Sequence, residues 1–421
     1  MLSALAAALA VSLGACGSSP RRTSSVPATQ AAAATPSFGI TEDDAALLWS
    51  PQSPVALAAG AAAAPGAQAL ARARAQLTAL HPRYVRLLVD WAALQPHAGE
   101  APQLERPVSG CARTIGPCAP YAGLREELAA IASQQRHGGG FEAVIVIYGT
   151  PAWAARPAFG CERARASAFS RAPTAAGLAA YRGLIHALVG LSAREGVALR
   201  WWAPWNEPND PTFLSPQRSS CAAATPASAP LAYARLAAAM AAQLRAEGGE
   251  RHLLLGELNA YEGPAFDRTS ISEFVATLPA QALCLSGVWA IHVYAARGAS
   301  APAQDPVGIL ERALDARGGC ARAAQIWVTE AGTGAPHPGD PSASGRAEEL
   351  AACRALSRQL ALWSGDPRVG AVFQYTFRDD PAFPVGLVDA RLDHTYPAYR
   401  LWLAWQSERS LAPLARRGAC A

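Results

Sequence analysis

Short apolar runs alternate with longer Ala-, Leu- and Arg-rich stretches of helical period along nearly the whole chain, and this alternation limits the fold more than any other feature. The runs are residues 38–40, 84–89, 143–148, 199–205, 253–257, 288–293, 326–329 and 371–375. Helical patterns fill residues 67–80, 121–134, 175–194, 230–247, 271–278, 307–316 and 347–363. A strand that must be followed by a helix before the next strand gives a parallel sheet with its helices outside. Eight such runs predict an α/β chain folded as a (β/α)8 TIM barrel, although an open doubly wound sheet would give the same string. An open nucleotide-binding sheet would carry a glycine-rich phosphate loop between strand and helix. His137-Gly138-Gly139-Gly140 instead precedes a strand and reads as a connection. A hydrophobic fraction of 51% against 16% charged residues supplies a large core for one domain of this size.

The N-terminus reads differently. Residues 2–13 form an apolar run ending in Leu13-Gly14-Ala15-Cys16, followed by the polar Gly17-Ser18-Ser19-Pro20. The run is too short to span a bilayer and has the length of a signal h-region. Its end resembles a bacterial lipobox, which implies lipidation at Cys16, although neither Arg nor Lys precedes it. Residues 17–36 are Ser, Thr, Pro, Ala and Arg without periodicity, the composition of a disordered tether. The expected organisation is a signal peptide over 1–16, the tether over 17–36 and the folded barrel over 37–421.

The remaining cysteines are Cys111, Cys118, Cys161, Cys221, Cys284, Cys320, Cys353 and Cys420, an even set suited to an oxidising compartment. Proximity favours Cys111 with Cys118, then Cys161 with Cys221 and Cys284 with Cys320. Four of the eight, Cys111, Cys118, Cys161 and Cys221, lie in the long loops after the strands, where bridges would hold the walls of a cleft. The chain is expected to be exported, at the cell surface or beyond, touching the membrane only through its lipid anchor. No cysteine has metal-binding spacing, and none of the eight histidines forms a ligand cluster with carboxylates, so neither metal nor cofactor is expected. All basic residues are Arg, the net charge is only +4, and no dense basic stripe is interleaved with aromatics. Nucleic acid is therefore not an expected partner.

The most specific string is Trp201-Trp202-Ala203-Pro204-Trp205-Asn206-Glu207-Pro208-Asn209, at the end of the fourth run. It resembles the W-N-E-P-N signature of clan A glycoside hydrolases, closest to families 39 and 5. The resemblance implies that Glu207 is a general acid/base and that Asn206 binds the sugar 2-hydroxyl. At the end of the seventh run, Ile326-Trp327-Val328-Thr329-Glu330-Ala331-Gly332 is similar to the clan's nucleophile strand, which implies that Glu330 is the nucleophile. Taken singly, Asn-Glu-Pro is also a good helix start and Glu330 an ordinary loop charge. Both motifs in order, on strands four and seven of eight, favour the catalytic pair.

Retaining hydrolysis explains the need for two carboxyls, held about 5–5.5 Å apart: one protonates the leaving oxygen while the other attacks the anomeric carbon. The acid is expected to have a pKa raised by burial and by the second carboxylate, and the nucleophile to be kept ionised by a cation. Arg86, within Tyr84-Val85-Arg86-Leu87-Leu88-Val89-Asp90-Trp91, resembles the clan arginine that hydrogen-bonds the nucleophile; an ion pair with Asp90 or Glu257 is the alternative. His292-Val293-Tyr294 directs two polar side chains to one face and resembles the family 5 His-x-Tyr, in which Tyr orients the nucleophile; a core His and a packed Tyr would fit the same pattern.

Tyr148-Gly149-Thr150-Pro151-Ala152-Trp153 resembles the family 39 turn whose Trp shapes the sugar cleft. Trp91, Trp201 and Trp289 suit core packing, while Trp205 fits core or cleft equally. The eighth run, Val372-Phe373-Gln374-Tyr375, lacks the clan's Trp beneath the sugar, leaving Tyr375 or Gln374 for that place. Glu257 is a third carboxylate, expected behind the catalytic pair. The implied function is a retaining O-glycosyl hydrolase acting on a β-linked poly- or oligosaccharide. The alternatives are a catalytically silent carbohydrate-binding barrel and a cell-wall transglycosylase. If the barrel is right, Glu207, Glu330, Arg86 and Tyr294 converge at its carboxyl end.

Overall fold

The computed structural model describes residues 35–42, 67–106, 108–109, 120–121, 123–136, 140–222, 224–264, 267–294, 305–333, 345–381, 383–407 and 418–420. The signal segment with Cys16, nearly all of the tether, the Cys111 and Cys118 pair and most of the His137 glycine run lie outside them. The described residues belong to one compact unit, Ala33–Ala421.

Eight strands run in parallel: β1 (Ser37–Thr41), β2 (Tyr84–Asp90), β3 (Glu142–Tyr148), β4 (Trp201–Ala203), β5 (His252–Leu253 and Leu255–Asn259), β6 (Val288–Tyr294), β7 (Gln325–Gly332) and β8 (Val369–Tyr375). Each pairs with the next and β8 pairs back onto β1. The first segment of β5 pairs with β4 and the second with β6, so the ring is carried through this strand. After the strands come α1 (Ala67–Ala79), α2 (Gly123–Arg136), α3 (Ala175–Glu195), α4 (Ala229–Glu247), α5 (Ile271–Thr277), α6 (Pro306–Arg317), α7 (Arg346–Ser364) and α8 (Pro397–Ser407). The expected (β/α)8 barrel is the observed fold.

Local chemistry sets the helix limits. The Thr174 hydroxyl accepts from the Gly177 N–H to start α3, and Gly196 ends it in the left-handed region at φ 72°. Asp305 caps α6 by accepting from the Val307 and Gly308 N–H groups, with Pro306 in the first turn where its missing donor does no harm. The fourth strand is shorter than the 199–205 run: Pro204 cannot donate a ladder hydrogen bond, and the chain turns there toward Asn206 and Glu207. The seventh is longer than 326–329 and takes Glu330 into the strand itself.

Large aromatics plug the amino half of the barrel interior. Tyr84 lies 4.7 Å from the Trp327 ring and 5.8 Å from Phe373, and Trp201 lies 4.5 Å from Trp327. Gly39 on β1 makes room for them, since a Cβ there would sit 2.3 Å from the Phe373 ring. A second, larger apolar layer fills the space between strands and helices. With the lower half filled, polar side chains gather at the carboxyl end.

Three disulfides are present among the described residues. Cys161–Cys221 links the loops that follow β3 and β4, as a bridge across cleft walls would. Cys284–Cys320 joins the segments entering β6 and β7, at the amino end, and Cys353–Cys420 ties α7 to the C-terminal residues. Among the described residues, then, one bridge spans the loops at the cleft and two fasten elements away from it.

Candidate active site

Strands β2, β4, β5, β6 and β7 deliver one charged cluster. Arg86 on β2 is fully buried between Val85 and Leu87, and a guanidinium so placed needs partners. Its Nη1 donates to Glu330 Oε1 at 2.8 Å; Nη2 donates to Asn206 Oδ1 and to Glu257 Oε2, each at 2.7 Å. Arg86 therefore meets both the nucleophile candidate and Glu257, while Asp90 caps the turn Trp91–Leu94 by accepting from Ala93 N–H.

His292 sits among three carboxylates. Its Nδ1 is 2.8 Å from Glu207 Oε1 and 3.5 Å from Glu330 Oε2, and its Nε2 is 2.7 Å from Glu257 Oε2. The Tyr294 hydroxyl donates to Glu330 Oε2, so Arg86 and Tyr294 engage both oxygens of Glu330. Glu207 is the more exposed of the two candidates, with side-chain accessibility of 12% against 8% for Glu330. One carboxylate oxygen from each lies within 4.8 Å of the other and of a His292 nitrogen.

Irregular backbone does the aiming. Glu207 has φ 37° and Glu257 φ 54°, the left-handed region that costs a non-glycine residue about 1–3 kcal/mol. The β5–β6 register slips between Gly256 and Leu258, and the β6–β7 register between Val328 and Glu330. Such bulges turn a side chain out of strict alternation and recur beside active sites. They are what bring Glu257 and Glu330 to the same point.

The electrostatics correct one expectation. Burial works to raise the Glu207 pKa, but the hydrogen bond and charge of His292, with Asn259 and Arg86, overcome it and hold the carboxyl below its ordinary value. The carboxyl expected to be raised is therefore lowered instead. Burial and a second carboxylate were foreseen; the cation between them was not. Glu257 follows the same pattern: burial opposes ionisation, while Arg86 and His292 outweigh it. Burial also disfavours charge on His292, yet Glu330, Glu207 and Glu257 push its pKa up to about 9. Burial, then the Glu330 charge, keeps Tyr294 a neutral donor.

The expectation that no histidine joins carboxylates also fails, since Glu207, His292 and Glu330 converge closely enough to hold a cation. Their donor atoms already face one another, Arg86 and Tyr294 in hydrogen bonds, so the cluster is satisfied by its own side chains.

Asn259 was not foreseen: its Nδ2 donates to Glu207 Oε2 at 3.2 Å. Asn209, last in the W-N-E-P-N string, fixes it by accepting from its N–H at 2.8 Å and donating to its carbonyl at 2.9 Å. Its position two residues beyond Glu257 was the one available signal. Trp153 donates from Nε1 to the Gln95 carbonyl at 2.9 Å and meets Trp91 edge-on at 6.2 Å, bracing two loops together. Trp91, Trp205 and Trp289 are fully buried, whereas Trp201 is half-buried at the amino end.

On the eighth strand the two candidates point to different surroundings. Gln374 is buried away from the cluster, accepting from Trp402 Nε1 and donating to the Val385 carbonyl, each at 2.8 Å. The Tyr375 ring lies 6.2 Å from Tyr294, and Phe383, which no periodicity marked, packs 4.9 Å from Tyr294 and 5.9 Å from Tyr375. These three rings form an aromatic wall beside Glu330.

Solved structures provide the comparison. A family 39 glycoside hydrolase from the gut symbiont Bacteroides cellulosilyticus WH2 matches over 88% of this chain and 63% of its own length, with TM-score 0.54 and 16% identity. The two chains are similar in fold. A monomeric β-xylosidase from Caulobacter crescentus CB15 matches over 89% and 68%, with TM-score 0.51 and 16% identity. An endo-β1,6-glucanase matches over 89% and 75%, with TM-score 0.54 and 11% identity. The chain thus spans under two thirds of the length of the first of these proteins. No family model and no curated protein matches the sequence.

Proposed function

We propose that this protein is a retaining glycoside hydrolase in which Glu330 attacks the anomeric carbon and Glu207 is the general acid/base. The observation that carries the proposal is the approach of one oxygen of each carboxylate to within 4.8 Å at the carboxyl end of the barrel, in unequal settings. A separation of about 5–5.5 Å between carboxyl groups suits direct attack, whereas inversion needs roughly 6.5–9.5 Å to admit a water. Glu330 accepts hydrogen bonds from Arg86 and Tyr294, one on each oxygen, which hold a nucleophile in orientation. Glu207 is the more open to solvent and reaches a proton donor in His292. Asn206 is held by Arg86 beside the pair, in position to meet the sugar 2-hydroxyl.

The substrate is proposed to be a β-linked poly- or oligosaccharide, in keeping with the β-xylosidase and the endo-β1,6-glucanase that share the fold. Tyr375 and Phe383 supply the aromatic faces on which a pyranose ring packs in place of the clan's Trp. Export and a lipid anchor at Cys16 belong to the same proposal; the three disulfides point to an oxidising compartment.

Kinetics on a panel of aryl β-glycosides tests this. Glu330→Ala is expected to lose activity by several orders of magnitude and to regain part of it with azide, giving an azide product of inverted configuration. Glu207→Ala should recover with azide on activated substrates and yield the retained anomer. Wild-type protein that binds glycans but turns over none of the panel, nor any β-linked polysaccharide, would leave only the silent binding barrel. Longer oligosaccharide products from a defined donor would mark a transglycosylase instead.

A further inference from the structure

Glu257 has no part in two-carboxylate hydrolysis and no solvent exposure, yet the cluster's two cations meet on it. Its Oε2 accepts from Arg86 Nη2 at 2.7 Å and from Thr329 Oγ1 at 3.2 Å, and stands 2.7 Å from His292 Nε2. Arg86 Nη2 and His292 Nε2 are themselves only 3.4 Å apart. Two cationic donors at that distance repel unless an acceptor shared by both lies against them, and Glu257 is that acceptor. The backbone is bent to put it there. Glu257 has φ 54°, Gly256 before it has φ 88°, and the Gly256 N–H is held by the Tyr233 hydroxyl at 2.8 Å. A strained residue persists where its surroundings over-determine it, commonly at a functional site.

The resting charges leave a gap in the reaction. Among the described residues, the charged groups set against His292 are Arg86 on β2, Glu207 after β4, Glu257 on β5 and Glu330 on β7, and Tyr294 on its own strand meets the same Glu330 oxygen. Among them the imidazole is protonated and Glu207 is ionised. The acid that must protonate the leaving oxygen therefore lacks its proton in the free protein, while Nδ1, which carries a proton whenever the ring is cationic, stands 2.8 Å from Glu207 Oε1.

We propose that Glu257, His292 and Glu207 form a proton relay, in which Glu257 is the positioning residue that keeps the Nε2 proton in place so that the mobile one faces Glu207. The inference rests on the glycosidase reading. In the first half-reaction the Nδ1 proton passes to Glu207 Oε1, leaving a neutral imidazole whose Nε2–H still donates to Glu257. The glycosidic C–O bond then breaks as Glu330 bonds to the anomeric carbon, and the departing oxygen takes the proton from Glu207. In the second, water attacks the anomeric carbon and releases Glu330. The water proton goes to Glu207 and returns to Nδ1, so no proton is gained or lost over the cycle. Without an acceptor at Nε2 the neutral ring can hold its one proton on Nδ1, where Glu207 cannot return another. Glu257 selects against that tautomer.

The test is nitrogen-15 NMR of the histidine side chains in the full chain, with His292→Asn identifying the resonances. Wild-type protein should show both ring nitrogens protonated through neutral pH and, above the titration, a neutral ring protonated at Nε2. Glu257→Gln should lower the His292 midpoint by about one pH unit or more, and Glu257→Asp should restore part of it. On aryl glycosides, Glu257→Gln should slow kcat about tenfold or more for poor leaving groups, with KM nearly unchanged, and should have little effect on dinitrophenyl leaving groups that need no proton. An unchanged His292 midpoint in folded Glu257→Gln, or a wild-type neutral ring protonated at Nδ1, would overturn the relay. If the variants do not fold, the wild-type tautomer decides alone. The NMR needs no turnover, so a chain inactive on every glycoside would sink the glycosidase reading without being mistaken for failure of the His292 geometry.

Discussion

His292 is the residue whose ionisation ties stability to pH. Its pKa is raised from an ordinary 6.5 to about 9, so the folded state holds this proton more tightly than the unfolded chain does. The associated stabilisation is complete below pH 6.5 and is lost as pH rises through 9. Glu207 and Glu257 have the opposite sign: lowered from 4.5, they stabilise the fold above that value and lose the contribution as pH falls. Denaturant unfolding across pH should therefore show a maximum between these limits and a decline on the alkaline side. In His292→Asn the alkaline decline should flatten; an equally steep one would assign it to another group.

Among the elements, β1 and β5 carry the least legible constraints. The β1 string Ser37-Phe38-Gly39-Ile40-Thr41 reads as an ordinary strand in which a glycine looks like a weakness. In the barrel it is the vacancy that accepts Phe373, and a methyl at Gly39 would lie 2.3 Å from a ring that cannot retreat from Tyr84 and Trp327. Gly39→Ala should destabilise the protein by about 1–3 kcal/mol, measured by urea unfolding, although alanine is the better strand residue in isolation. On β5 the Glu257 bulge has no signature in the apolar pattern, because pattern reading assumes strict alternation and a bulge breaks it. That is why Glu257 could be placed near the site from sequence, with Arg86 as one partner among alternatives, but not on His292.

For the molecule as a whole, the disulfides divide the work of holding a large barrel together. Cys353–Cys420 closes the longest of the three bridged segments, 67 residues, between the last part of the chain and α7. Both its cysteines are buried. Replacing the pair by serine should lower unfolding free energy by about 2–4 kcal/mol, and reductant should then have a smaller further effect on Tm than it has on the wild-type protein. An unchanged Tm would mean that packing alone holds the C-terminal residues in place.

The order of strands and helices, the two glutamate motifs and the two bridges Cys161–Cys221 and Cys284–Cys320 were all readable in the chain, because periodicity, short motifs and sequence proximity are local properties. Glu207 and Glu330 could be named as a pair for the same reason: each ends or occupies a strand whose rank can be counted. The partners were decided elsewhere. Arg86 was free to meet Asp90, Glu257 or Glu330 until the barrel closed, and Gln374 competed with Tyr375 until one turned toward Trp402. The charge on Glu207 depends on where His292 lies, a residue 85 positions away. Electrostatic energy depends on distance through the fold and not along the chain, so protonation was settled only by the tertiary structure.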